Sequence, residues 1–88
     1  MIEVTTSLHN MPCIQLINAS KRVQDIIDRA VTCQYYGDPR YELGKKAGAF
    51  LQGHDEKSGW ILVEFWKTDY QPFVDLLDKL IDEDKARQ

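Results

Sequence analysis

Eighty-eight residues, 43% hydrophobic and 28% charged, describe one globular domain and exclude a disordered chain. The net charge of -3 lies on the final stretch: positions 1–68 carry eight acidic and eight basic side chains, positions 69–88 six and three. That sign disfavours nucleic acid as a partner, and no apolar run reaches the roughly 18 residues of a membrane span.

The opening MIEVTTSLHN lacks a basic stretch followed by an apolar one, so a cytoplasmic protein is expected. Ile2, Val4, Thr6 and Leu8 alternate with Glu3, Thr5 and Ser7, which predicts a half-buried strand. His9 to Pro12 turns the chain, and Cys13 to Ile17 reads as a second strand. Cys13 and Cys33 are too few for a disulfide-stapled fold and are expected to be reduced and mostly buried.

Ser20 is a cap for a helix over 20–34, with Val23, Ile26, Ile27, Ala30 and Val31 on its apolar face. Asp25 and Arg29 have the spacing of an ion pair on its other side. Tyr35-Tyr36-Gly37 ends it, and Asp38-Pro39 opens a short helix to about Lys46. Beyond that point the helix could continue to Gln52, or Gly48–His54 could be a strand. The strand is favoured, because Gly44 and Gly48 each cost a helix about 1 kcal/mol. Asp55–Gly59 then makes a hairpin loop into the next strand.

Trp60–Trp66 is β-branched and aromatic, apolar on both sides except at Glu64, and reads as a central strand. Thr68 and Gln71 have capping-box spacing, with Asp69 as a rival cap. Phe73, Leu76, Leu77, Leu80 and Ile81 form the stripe of a last helix ending near Asp84.

The order is ββαββα, an α+β domain with a possible extra helix at 39–46. Moving the first strand to the end gives the ferredoxin-like order, so the expectation is a circular permutation of it. The expected sheet is antiparallel-rich, in strand order 1-2-4-3, with both helices on one face. Ile14, Leu16, Ile61, Val63 and Phe65 should then face the helices. Cys13, Gln15, Ile17, Trp60, Leu62, Glu64 and Trp66 should face away, because a carboxylate in the core costs several kcal/mol.

That outer face is too apolar for bare water, and such a patch usually marks a contact surface. A homodimer through it is the leading expectation, symmetric pairing being the commonest assembly. The rivals are cover by the chain's own tail or by 35–46, and a small apolar ligand or foreign protein.

Other constellations carry less. His54-Asp55-Glu56 and His9 read as solvated turns, and Cys13, Cys33, His9 and His54 lack the close spacing of zinc ligands. Gly44–Gly48 superficially resembles a phosphate loop but lacks its pattern. Arg40, Lys45 and Lys46 form a small basic patch, for solvent or for an acidic partner. Trp60 and Trp66 could stack bases, but Glu64 and the missing basic surround oppose it. Tyr35, Tyr36 and Tyr41 gather around Gly37, to cover the core's end or to rim a ligand site.

The expected function is therefore a non-enzymatic, homodimeric binding module that needs no cofactor. One alternative is a small-molecule-binding protein or small enzyme of dimeric α+β barrel kind. There a pocket between subunit sheets would be lined by Trp60, Leu62 and Trp66, with Glu64 or His54 as acid–base group. Another is an acidic modulator of a larger protein, of phage, toxin-antidote or mobile-element type.

Overall fold

The computed structural model describes residues 1–87. Seven elements follow in order: β1 (Thr5–Thr6), β2 (Pro12–Leu16), α1 (Lys21–Val31), α2 (Pro39–Ala47), β3 (Ala49–Asp55), β4 (Trp60–Phe65) and α3 (Gln71–Ala86). The strands form one antiparallel four-stranded sheet in the order β1-β2-β4-β3. The apolar strands β2 and β4 are central, and three helices complete an α+β fold.

Register explains the core. Ile14 pairs with Val63 and Leu16 with Ile61, so these side chains share one face. Ala49 opposite Phe65 and Leu51 opposite Val63 extend that face into β3. Ile27 and Ala30 of α1, Ala47 of α2, and Phe73, Val74, Leu77 and Ile81 of α3 close over it. Each large apolar side chain buried this way contributes roughly 1.5–3 kcal/mol.

Local chemistry sets the helix ends. The Ser20 hydroxyl accepts from Val23 N–H and caps α1. The helix stops at Val31, short of Gln34; Thr32 is its C-cap, with N–H and hydroxyl both donating to the Asp28 carbonyl. Asp25 accepts from Lys21 rather than from the expected Arg29. Asp38 caps α2 with Pro39 in its first turn. Gly48 ends it at φ +60°, where a Cβ would sit 2.9 Å from that of Trp66. The strand reading of 48–54 holds, because the left-handed Gly48 cannot continue a helix and Trp66 N–H bonds to its carbonyl.

Two further expectations fail. The predicted capping box at Thr68 is absent: α3 begins after Tyr70 with no side-chain cap, and Gln71 donates to Asp75 instead. Tyr70 stacks on Phe65, centroids 5.4 Å apart, and packing rather than a cap fixes this end. The long first strand is also too generous. Only Thr5–Thr6 pair with β2, although Ile2 and Val4 still pack on the core and Ile2 N–H donates to Asp78.

Among the described residues no helix is long and apolar enough to cross a membrane.

Candidate functional site

The helices leave one sheet face bare. Thr5 opposite Cys13, Cys13 opposite Glu64 and Glu64 opposite Phe50 make one row across it. Gln15 opposite Leu62 opposite Gly53 makes the next. Alternation also puts Trp60 and Trp66 on this side, as the sequence implies.

Glu64 points where expected but does not meet water. It is fully buried, and Cys13 beside it is 2% exposed. The cover is neither the C-terminal tail nor 35–46 but the chain's own N-terminal turn. Ser7 Oγ accepts from His9 N–H and Met11 N–H, and Asn10 takes φ +60°, folding the turn back over the sheet. Leu8, placed by alternation on the core side, is thrown fully into solvent.

This turn carries the partners of the carboxylate. His9 Nδ1 lies 2.9 and 3.1 Å from the two oxygens of Glu64. The Ser7 oxygen accepts from two backbone N–H groups, which leaves its proton for the carboxylate. The Ser7 hydroxyl, and then His9, holds the Glu64 carboxyl below its ordinary value against the opposing effect of burial. His9 therefore presents N–H at Nδ1. His9, read as a plain turn residue, is thus the group the sequence analysis missed; 55 residues separate it from its partner.

Between turn and sheet lies a cavity of about 400 Å³, with Leu62, Trp60 and Cys13 as apolar wall and Glu64, His9 and Gln15 as polar groups. Trp60 Nε1–H donates to Gln15 Oε1 at 2.8 Å. The far edge of its indole covers Gly53, beside the bulge of β3, where a Cβ would come 2.2 Å from the ring.

The rest of the face is open. Trp66 is 72% exposed and meets Phe50 at 5.4 Å. Ile17, just past β2, is 69% exposed.

Other expected groups lie elsewhere. Tyr35, Tyr36 and Tyr41 do not line the outer-face cavity. Tyr36 and Tyr41 meet edge to face, and Tyr35 borders a separate groove with Arg29 and Arg40. Arg40 is chelated by Asp38, whose pKa is lowered to about 2, chiefly by that guanidinium. Lys45 lies over Tyr41, and Gly44–Gly48 is the end of α2 rather than a phosphate loop. His54 is exposed, as a solvated residue would be, but it lies in β3 rather than in the loop and bonds through Nε2 to Gln24 Oε1. Gln24 Nε2–H in turn donates to Ala19 O and Glu56 O, so His54 Nε2 carries the proton of that bond. Cys13 and Cys33 are free thiols, and no three metal-ligating side chains gather among the described residues.

No protein-family model, curated protein or solved structure matches this chain.

Proposed function

We propose that this domain is a non-enzymatic binding module whose working surface is the outer sheet face, and that two copies pair through it. One observation carries the reading: the exposed Trp66 ring, beside Phe50 on a face no helix covers. An indole left in water is costly, and aromatic rings are the preferred anchors of protein contacts. The strand order supports the finer fold reading, a circularly permuted ferredoxin-like sheet. Two free thiols fit a reducing compartment such as the cytoplasm.

Sedimentation equilibrium from about 1 to 100 µM tests the pairing, a range that brackets weak and moderate dimers. A dimer whose dissociation constant rises at least about tenfold in Trp66→Ser is expected, as for an interface anchor. A wild type that stays monomeric throughout, or a dimer indifferent to Trp66→Ser, ends the proposal.

A second reading is favoured by the cavity. At about 400 Å³ in the single chain it is within the size range of small-ligand sites, without the partner sheet expected to enclose it.

A further inference from the structure

We propose that the outer-face cavity binds an organic cation, an amine whose ammonium replaces the His9 ring against Glu64 while its apolar body lies on Trp60 and Leu62. The proposal rests on the small-molecule reading just given and not on self-association.

The charge inventory comes first. The cavity lining includes Glu64 and His9 and holds no lysine or arginine. Glu64 is the one carboxylate of the lining, and among the described residues the ion-pair partner it has is a histidine, a cation solely when protonated. With a neutral imidazole the field inside is negative, which repels carboxylates and phosphates and attracts ammonium groups.

The choice of residue points the same way. Glu64 shares its face with Cys13, Leu62 and Phe50, where an apolar side chain would fill the same space without desolvating a charge. A carboxylate offers about four acceptor sites. Here the His9 Nδ1–H spans both oxygens, so displacing the ring frees on each of them the acceptor positions that the N–H donors of an ammonium would take.

The gate is separable from its frame. The His9 side chain is 55% exposed, while its backbone is fixed independently through Ser7 Oγ. Rotating the ring outward breaks the contact with Glu64 and none of the turn's own bonds. Trp60, held by Gln15, lines the same cavity with an indole on which the apolar body of the amine can lie.

The experiment uses matched pairs: 2-phenylethylamine against 2-phenylethanol, and isoamylamine against isoamyl alcohol. Binding to the full chain is read by two-dimensional NMR titration to about 10 mM, the weak end of specific affinity. Each amine should bind roughly tenfold or more tighter than its alcohol, the value of a charge-assisted hydrogen bond. Glu64→Gln should erase that preference with the spectrum otherwise kept. His9→Ala should strengthen amine binding several-fold, since the competing ring is gone, and it decides the matter if Glu64→Gln does not fold. Equal binding of amine and alcohol ends the cationic proposal and leaves the small-molecule reading standing. Saturation by none of the four probes ends both. A His9→Ala protein that binds amines more weakly makes His9 a ligand rather than a gate and also overturns the proposal.

Discussion

Gly53→Ala is the sharpest probe of the outer face, because its sign depends on one contact. Gly53 is an interior position of β3 without a positive φ. At such a site alanine ordinarily stabilises by about 0.4–1 kcal/mol, through a less flexible unfolded chain. Here the new methyl would lie 2.2 Å from the edge of the Trp60 ring. The indole must tilt away, losing its bond to Gln15, worth about 0.5–1.5 kcal/mol net. Repacking the crowded neighbours costs about 1–3 kcal/mol more. Subtracting the alanine gain leaves a net loss of about 0.5–4 kcal/mol, or roughly 2–30 °C in Tm for a domain of this size. Urea titration followed by far-ultraviolet circular dichroism avoids the altered tryptophan signal. The same substitution in a Trp60→Ala background should be neutral or stabilising, giving a coupling energy above about 1 kcal/mol. Equal or greater stability of the single variant, or coupling within about 0.5 kcal/mol of zero, would show that the indole does not rest on Gly53.

Acid should weaken the fold through two carboxyls. Asp38 and Glu64 both sit below their ordinary values, so each stabilises the fold above its unfolded value, 3.8 and 4.5, and loses that contribution as pH falls through the folded one, about 2 for Asp38. Stability measured from pH 5 to 2 should therefore decline, and Glu64→Gln should make the decline shallower. Phe73→Ala removes a fully buried ring that meets Phe65 edge to face, and should cost about 3–5 kcal/mol, a large part of the stability of a small domain, by urea titration. Arg22→Ala breaks the paired contact to Asp84, but the arginine is mostly exposed, so less than about 1 kcal/mol should be lost in the same assay.

What the sequence revealed and what it hid divide along physical lines. Alternation in 60–66 and helical spacing in 73–81 are local patterns, and they placed β4, α3 and both sheet faces. Asp38-Pro39 and Gly48 carry their own backbone preferences, so both ends of α2 were legible. The Thr68 capping box failed because Tyr70 stacking on Phe65 is a tertiary contact, invisible in a window of four residues. The burial of Glu64 was hidden for the same reason. Alternation says which way a side chain points, but not that Ser7 and His9 return from the far end of the chain to cover it. A signal was present: Ser7, His9 and Asn10 are turn formers with side chains able to bond a carboxylate, and Glu64 was the lone charge in its strand.

The turn at 7–10 therefore divides one sheet face into two chemistries. Where it folds back, the surface is a walled cavity with a buried negative charge and a movable imidazole. Where it stops, the surface is a pair of aromatic rings open to water. The helix-packed core touches neither region: Ile14, Val63 and Phe65 point away from both. The core packing and the proposed recognition surface thus lie on opposite sides of the same strands. Substitutions in Ser7 to Asn10 can change what the cavity admits while leaving the core packing intact, whereas substitutions in β4 change both at once, because alternate residues of that strand belong to each side.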